Sequence, residues 1–225
     1  MKIRVKQGET YTSPLTPLQQ LERGIAFSPS PLGGEGRGEV SDSAVTFELE
    51  ANSHLELTQV TFAEQDLSQS FEVIFLGEGA SCNLYFLDLA KNSSHLETIV
   101  KVFHKVPNCK STQLHKGLYS DESVGSLKAF VEVAPHALGT DASQLHRSLL
   151  LSPKACSKPE PHLKIQADAV KCKHGVSIGQ LDDKALFYLM ARGLDEKTAK
   201  GLLIQAFAQE ILDTVSEKYE ISKWI

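Results

Sequence analysis

Short runs of alternating apolar and polar residues dominate the middle of the chain. They begin with Val45, Phe47 and Leu49 and continue through Leu96 to Phe103. A period of two is typical of strands that bury one face, because successive side chains of a strand point to opposite sides. The pattern therefore predicts short, half-buried β-strands rather than helices.

Turn-forming residues separate these runs at intervals of about 15 residues. They fall at Gly77–Gly79, Lys91–Ser93, Pro107–Asn108, Asp121–Ser123, Pro135–Ala137 and Pro153. Short strands at regular intervals are typical of a β-solenoid, whose coils stack, and also of a β-sandwich. The alternation supports these two folds about equally. Residues 44–180 are therefore expected to form one β-rich core.

The last part of the chain shows a helical pattern instead. Asp182 precedes it as an N-cap, Asp183 brings a favourable charge to the first turn, and Gly193 follows as a helix stop. Asp195 then begins a second helix with one apolar stripe. The members of the stripe are Ala199, Leu202, Leu203, Ala206, Phe207 and Ile211. Residues 181–225 are therefore predicted to form a helical hairpin after the β-rich core.

Residues 1–43 contain several prolines and a cluster of glycines, with few β-branched or aromatic side chains. Such a segment buries too little apolar area to offset the entropy of ordering it, so we expect it to be flexible. The glycines at Gly33–Gly38 are not expected to bind phosphate, because no strand leads into them and no Lys-Ser or Lys-Thr follows. A solenoid that starts after this segment has an unpaired first coil, and the stretch from Val45 to Phe62 is expected to cap it.

Composition and charge exclude some classes of partner. The chain has 225 residues, a formal net charge of -5 and a pI near 5.9. Nucleic acids and anionic membranes attract clustered positive charge, so neither is an expected partner. No apolar run approaches the roughly 20 residues of a membrane-spanning helix, and no signal-peptide pattern is present, which favours the cytoplasm. These features do not decide whether the chain forms a homodimer.

Four cysteines, Cys82, Cys109, Cys156 and Cys172, are spread along the chain without Cys-x-x-Cys spacing. They are too few for a disulfide scaffold and are not spaced as zinc ligands, so reduced thiols are expected. Cys82 and Cys156 are expected to be small buried residues. No chemical role is expected for Cys109.

One thiol and one imidazole stand together at the end of the predicted strands. Cys172 and His174 are two residues apart, so in an extended chain they point to the same side. Both are suitable ligands for iron, and a histidine can also lower the pKa of a neighbouring thiol. An iron–sulfur cluster usually has about four ligands, so a metal site here needs further donors from another subunit. The alternative is a packed thiol beside a surface histidine.

Three segments near this pair resemble the SufB/SufD family of iron–sulfur cluster assembly proteins, and SufD in particular. They are Val170–Gly175, Gly179–Asp182 and Leu186–Gly193. The resemblance covers about half of the chain, from Leu96 to Ile211, and implies a mainly β fold with a right-handed parallel β-helix core. Compared with typical members of the family, the chain is expected to be truncated at its N-terminal side.

The same resemblance implies a function. In this family the Cys and His of the matching motif lie near the boundary between SufB and SufD, where new clusters are assembled, and the matching residues here are Cys172 and His174. The C-terminal helices of the family dock the ATPase SufC. The resemblance therefore implies a non-catalytic scaffold with no stably bound cofactor and a transient iron–sulfur cluster at a subunit interface. The residues expected at the docking surface are Phe187, Tyr188, Arg192, Gly193 and Phe207.

Two other functions stay open. A stand-alone thiol- or metal-handling protein would use Cys172 together with His174, whereas a degenerate SufD copy would fold but bind no partner. Two differences from the family bear on its role here: Ala169 replaces the usual acidic residue, and Lys173 replaces the serine between Cys and His.

Three further histidines, His115, His136 and His146, lie 21 and 10 residues apart. If the coils stack, such residues could align as a row of metal ligands. No carboxylate accompanies them at a fixed offset in the sequence. The favoured interpretation is therefore that His115, Gln113 and Gln144 cap turns or lie on the solvated face.

Overall fold

The computed structural model describes residues 2–15, 43–215 and 219–221. Twelve β-strands and two α-helices follow one another in these ranges. The first six strands are β1 (Lys2–Val5), β2 (Thr10–Leu15), β3 (Ser43–Leu49), β4 (His54–Ala63), β5 (Leu67–Phe75) and β6 (Ser81–Ala90). The remaining elements are β7 (His95–His104), β8 (Lys110–Tyr119), β9 (Val124–Val133), β10 (Asp141–Leu150), β11 (Cys156–Ile165), β12 (Lys171–Gly179), α1 (Asp183–Ala191) and α2 (Glu196–Leu212).

The strands form two parallel six-stranded sheets. One sheet has the order β1-β3-β5-β7-β9-β11, and the other has the order β12-β10-β8-β6-β4-β2. The chain passes from one sheet to the other after each strand, so every coil contributes one strand to each sheet. Paired residues of successive coils are 27 positions apart for His54 with Ser81 and 31 apart for Lys110 with Asp141. The fold is thus a parallel β-solenoid, which confirms the predicted β-helix and excludes the sandwich.

The interior of the solenoid is built from stacked rows of like residues. Phe47 pairs with Val73, Val73 with Val102, and Val102 with Val131, and each of the four is at most 1% exposed. The alternating sequence pattern produces such rows because every second side chain of a strand points inward, where it meets its counterpart in the next coil. Burial of these rows supplies most of the hydrophobic stabilisation of the fold.

Turns between the strands use residues that tolerate a left-handed backbone. Asn52, Asn92, Asn108 and Asp121 all have φ between 54° and 62°. Asn and Asp adopt this conformation more readily than other non-glycine residues. The turns predicted at three of these four positions are confirmed, because the polar residues that marked them in the sequence are those that the backbone requires.

The side chain of Tyr119 fixes the identity of two glycines. A Cβ atom at Gly125 would lie 1.9 Å from the ring of Tyr119, and one at Gly117 would lie 2.4 Å from its hydroxyl oxygen. Tyr119 is 1% exposed, so its ring has no room to move aside. The two glycines therefore provide the space that this ring fills inside the solenoid.

We expect Gly125→Ala to destabilise the protein by about 1–3 kcal/mol, because overpacking forces the ring or the backbone to shift. The change is measured as a lower midpoint of urea unfolding. Gly179→Ala is the matched control, since nothing lies within 4 Å of a Cβ atom at Gly179. Equal midpoints for the two variants would contradict this account of Tyr119.

Residues 2–15 correct the expectation that residues 1–43 as a whole are flexible. Strands β1 and β2 pair with β3 and β4 and form a first coil, and Val5 is 2% exposed in the core. The stretch from Val45 to Phe62 is therefore not a cap but part of the second coil. Short strands were hard to recognise here because β1 has only four residues. The glycine cluster at residues 33–38 lies outside the described residues.

Helix α1 begins and ends, and α2 begins, where the sequence predicts. The side chain of Asp182 accepts a hydrogen bond from the backbone N–H of Lys184 at 2.9 Å, and Asp195 caps α2 in the same way through Thr198. Gly193 follows α1 with a φ of 95°. The predicted helical hairpin is confirmed, because these residues satisfy or terminate the free backbone groups at helix ends.

Helix α2 packs onto the even-numbered sheet. Its buried residues Ile204, Ala208 and Ile211 contact a cluster that includes Val60 and Leu118. The predicted apolar stripe is therefore only partly correct, since Leu202 is 49% exposed while Ile204 and Ala208 are buried. Contact with the sheet, rather than the stripe alone, determines which side of the helix is covered.

A buried lysine fixes α2 in place. The Nζ atom of Lys116 donates a hydrogen bond to the backbone oxygen of Phe207 and forms an ion pair with Glu210, both at 2.7 Å. The same ammonium group lies 5.0 Å from the centre of the Phe207 ring. Hydrogen bonding to Lys116 lowers the pKa of Glu210. These contacts attach the helical hairpin to the solenoid.

Candidate functional site

The last coil of the solenoid presents an open end. Within the described residues, β11 pairs only with β9 and β12 pairs only with β10. Each strand therefore has one edge whose backbone N–H and C=O groups have no strand partner there. Strands of this length are normally covered or paired, because an open edge readily recruits another chain.

Cys172 and His174 lie on β12, at this open end. Cys172 is opposite Ala142 and His174 is opposite Gln144 in the neighbouring strand β10. As residues i and i+2 of a strand, the two side chains share one face. Cys172 is half-buried and packs against the core, whereas His174 is exposed. The structure thus brings this predicted pair to one end of the solenoid.

The environment of Cys172 does not activate its thiol. Burial raises the pKa of Cys172, the charge of Asp141 raises it further, and a hydrogen bond from the backbone of Ala142 lowers it by less than burial raises it. A reactive thiol normally has a depressed pKa, produced by a nearby cation or a helix N-terminus. Cys172 is therefore suited to act as a ligand, in which a metal displaces the proton, rather than as a free nucleophile.

The other cysteines are placed mostly as expected. Cys82 is 0% exposed and Cys109 is 1% exposed, and burial raises the pKa of both thiols. Cys156, expected to be buried, is instead partly exposed, because it is the first residue of the terminal strand β11. All four cysteines are free thiols.

Apolar side chains surround the open end. Val176 and Ile178 on β12 are 43% and 45% exposed, Ile165 at the end of β11 is 41% exposed, and Leu145 on β10 is 36% exposed. Single exposed apolar residues are common, but a group of them beside an open strand edge is typical of a surface that another protein covers.

Helix α1 carries a second exposed apolar surface. Phe187, Tyr188 and Met190 are 74%, 57% and 41% exposed, and no residue of α1 is buried. The guanidinium group of Arg192 donates a hydrogen bond to the hydroxyl of Tyr188 at 2.8 Å and lies 5.0 Å from the centre of its ring. This contact orients the two side chains on the surface of the helix.

One residue predicted at this docking surface is located elsewhere. Phe207 is partly buried and packs with the cluster between α2 and the solenoid, beneath Lys116. Its position contributes to the attachment of α2 to the solenoid. Gly193, by contrast, ends α1 with a positive φ and has nothing within 4 Å of its Cβ position.

The sequence interpretation of His115, Gln113 and Gln144 is wrong, because all three are buried. His115 and His146 are 3% and 4% exposed, inside the solenoid, and not on its solvated face. Their rings stack with centres 4.7 Å apart, and their Nδ1 atoms are 2.7 Å apart. They are stacked because His115 pairs directly with His146 in adjacent coils. His136 lies exposed in a turn.

A carboxylate does accompany these histidines, but it comes from the preceding coil. The Oδ2 atom of Asp88 accepts a hydrogen bond from Nε2 of His115 at 2.7 Å, and Asp88 is 1% exposed. Asp88 precedes His115 by 27 residues, so no short offset in the sequence connects the two. The signal in the sequence was the tripeptide Gln-Leu-His, which occurs at 113–115 and again at 144–146, one coil later.

The histidines join a chain of hydrogen bonds through the interior. Asp88 also accepts a hydrogen bond from the hydroxyl of Thr98 at 2.6 Å. At the other end, Nε2 of His146 lies 2.6 Å from the hydroxyl of Ser148, which lies 2.8 Å from that of Ser157 on β11. Burial, with a smaller contribution from the charge of His115, lowers the pKa of His146 to about 3, so His146 is neutral at physiological pH.

The geometry defines a class of protein: a parallel β-solenoid with an open terminal coil, a thiol–imidazole pair at that coil and a helical hairpin with an uncovered face. The model of the family described as "SUF system FeS cluster assembly, SufBD core domain" matches residues 33–207. The chain therefore belongs to the SufBD family of iron–sulfur cluster assembly proteins.

Relatives from several organisms support this assignment. The "Iron-sulfur cluster assembly protein SufD" of Escherichia coli (strain K12) is 32% identical over 142 residues, which are 63% of this chain and 34% of that protein. "Protein ABCI7, chloroplastic" of Arabidopsis thaliana is 36% identical over 165 residues, 73% of this chain and 35% of that protein. The "SufBD family protein slr0076" of Synechocystis sp. is 44% identical over 109 residues, 48% of this chain and 24% of that protein. The chain thus spans only 24% to 35% of the length of these curated relatives.

No three His, Cys, Asp or Glu side chains in residues 2–15, 43–215 and 219–221 converge as a group that could hold a metal ion. In the same ranges, neither α1 nor α2 is long and apolar enough to cross a membrane.

Proposed function

We propose that this chain is a non-catalytic scaffold subunit of a SufBCD-type iron–sulfur cluster assembly complex in the cytoplasm. Its terminal coil would pair with a SufB-like subunit, and its α1 surface would dock a SufC-like ATPase. The observation that carries the proposal is the open terminal coil, where β12 combines an unpaired edge with Cys172 and His174.

The edge of β12 is the better place for a partner strand. Pro159 and Pro161 lie within β11, and proline has no backbone N–H to donate. In edge strands, prolines are tolerated because their nitrogen atoms face away from the paired strand. Strand β12 contains no proline, so it can pair along its whole length. Exposed Val176 and Ile178 add apolar contact area at the same edge.

The pair on β12 would contribute part of a ligand set. Cys172 and His174 supply two donors, whereas a cluster usually has about four. A SufB-like subunit docked on the β12 edge would supply the remaining donors, so a cluster would exist only in the complex and only transiently. The thiol of Cys172, with a pKa raised by burial, would deprotonate when iron binds.

The α1 surface is suited to a partner that binds an exposed helix. Phe187 and Tyr188 present large apolar side chains that nothing in the described residues covers, while α2 holds the hairpin on the solenoid through Lys116. Aromatic residues of this kind often dominate the free energy of protein binding. ATP hydrolysis would belong to the docked ATPase.

The first test is co-purification of the full chain with SufB and SufC homologues. We expect Ile178→Lys to weaken binding of the SufB homologue at least tenfold, because the lysine ammonium group would be desolvated at the β12 edge. Leu76→Lys is the matched control, since Leu76 is similarly exposed, at 42%, but lies far along the solenoid from β12.

Three outcomes of this test are informative. Binding that is retained by Leu76→Lys and lost by Ile178→Lys supports the proposal. Equal binding by both variants contradicts the assignment of the β12 edge. A chain that binds neither homologue at micromolar concentrations refutes the scaffold function and favours a degenerate copy.

A further inference from the structure

We propose that His115, His146 and Gln144 form a buried binding site for one divalent transition-metal ion. The site lies inside the solenoid: Gln144 and His146 are one coil below Cys172 and His174, with Gln144 the strand neighbour of His174, and His115 is two coils below them. The proposal concerns residues that the scaffold function does not use, so it stands or falls independently of that function.

The first argument is the orientation of the two imidazole rings. Nε2 of His115 is held by Asp88 at 2.7 Å, and Nε2 of His146 is held by Ser148 at 2.6 Å. Histidines that bind metals are usually held in this way, with one ring nitrogen on a carboxylate or hydroxyl and the other on the metal. The two Nδ1 atoms are hydrogen-bonded to each other at 2.7 Å, and a metal ion would replace this bond.

The second argument is an amide without partners beside the rings. Neither the nitrogen nor the oxygen of the Gln144 side chain has a hydrogen-bond partner in the described structure, although Gln144 is 6% exposed. Nε2 of Gln113, in the paired position of the preceding coil, also has none. Buried polar groups without partners are rare in folded proteins, and each calls for an explanation such as an ion or a water molecule.

The third argument is a cavity that connects these groups. Both glutamines and both histidines line a cavity of about 20 Å³. This volume suits one water-sized particle. A hydrogen-bonded histidine pair on its own would leave the Gln144 amide unused, whereas a metal ion would bind its oxygen together with the two Nδ1 atoms. Gln144 supplies an amide oxygen as the third ligand, where most metal sites have a histidine, a cysteine or a carboxylate. The site therefore falls outside the usual sets of His, Cys, Asp and Glu ligands.

The geometry requires a small adjustment. Tetrahedral bonds of about 2.0–2.1 Å to nitrogen place two ligand atoms roughly 3.3 Å apart, so the stacked rings must separate slightly from their 2.7 Å contact. The proton between the Nδ1 atoms of His115 and His146 also has to move. Without metal, Asp88 fixes the proton of His115 on Nε2, so His146 donates from Nδ1.

Metal binding would shift the proton of His146 from Nδ1 to Nε2. The Nε2–H group would then donate to Ser148, which would turn its own hydroxyl hydrogen towards Ser157 at 2.8 Å. Each hydrogen-bond partner stays satisfied, and no net proton is released. The ion would enter from the terminal coil, where Pro159, Pro161 and Val176 form the outer wall of the cavity.

The test uses the full chain, treated with a chelator and kept anaerobic. The background variant Cys172→Ser/His174→Ala removes the terminal pair, so that only the buried site can respond. Titration with Co²⁺ should give one bound equivalent with visible absorption stronger than that of the hydrated ion, and Zn²⁺ should displace it. His146→Gln should abolish this binding, and His162→Gln, at an exposed position, should leave it unchanged.

Nitrogen NMR of the histidine rings keeps the test independent of whether His146→Gln folds. In the background variant without metal, we expect the proton of His146 on Nδ1, and after Zn²⁺ addition we expect it on Nε2. An unchanged tautomer of His146 after Zn²⁺ addition, or Co²⁺ binding that survives His146→Gln, would overturn the proposal and leave the pair as a hydrogen-bonded feature of the core.

Discussion

Lowering the pH from 7 to 5 is expected to reduce the free energy of unfolding by about 4 kcal/mol, through two buried histidines. Burial lowers the pKa of His104 to about 4 and that of His146 to about 3. His104 stacks on Phe75 with ring centres 4.4 Å apart and bonds to Ser111 at 2.9 Å, so the His104 ring cannot reach water without opening the core.

Stability falls with pH because the folded and unfolded states bind different numbers of protons. In the unfolded chain a histidine has a pKa near 6.5, so it binds a proton as the pH falls below that value. The folded protein leaves His104 and His146 neutral until about pH 4 and pH 3. Between pH 6.5 and 4 the unfolded state binds more protons, and stability is lost as the pH falls.

Urea unfolding at several pH values, in the presence of a chelator, measures this effect. His104→Gln should halve the loss of unfolding free energy between pH 7 and 5, because only one of the two buried histidines remains. His162→Gln is the control, since the His162 side chain is 52% exposed. Unfolding free energies that are equal at pH 7 and pH 5 would show that the buried histidines are accessible to protons.

Phe187→Ala combined with Tyr188→Ala is expected to weaken binding of a SufC-like ATPase at least 100-fold. Aromatic anchors at the centre of an interface commonly contribute about 2 kcal/mol or more each. The fold should be unaffected, because no residue of α1 is buried. Leu138→Ala is the matched control, since Leu138 is an exposed apolar residue at 49% in a turn of the solenoid.

Calorimetric titration of the ATPase into each variant gives the affinity, and urea midpoints confirm that the variants fold equally well. Loss of affinity in the double variant alone supports docking on α1. If the double variant binds as tightly as the unmodified chain, the ATPase uses another surface, and the exposed face of α1 requires a different explanation.

Local signals in the sequence were sufficient for the elements that carry them. Asn92 and Asn108 marked turns because a left-handed backbone favours asparagine, and Asp182 and Asp195 marked helix starts because their carboxylates satisfy free N–H groups. The position of the Cys172–His174 pair followed in the same way, since residues two apart in a strand share a face.

The features that were missed depend on contacts between coils. Strand β1 is held by pairing with β3 across an interval of 44 residues, which no local pattern reveals. Asp88 reaches His115 from the preceding coil, and His115 meets His146 in the next one. Once the coil length is known, the repeated Gln-Leu-His identifies both the register and the buried row.

Anaerobic reconstitution of an iron–sulfur cluster on the complex with a SufB homologue tests the central claim most directly. The account predicts a cluster on the complex, none on the isolated chain, and at least a tenfold loss of cluster with Cys172→Ser/His174→Ala, while partner binding persists. His162→Gln serves as the control. A complex that holds the same amount of cluster after both residues are removed would contradict the claim.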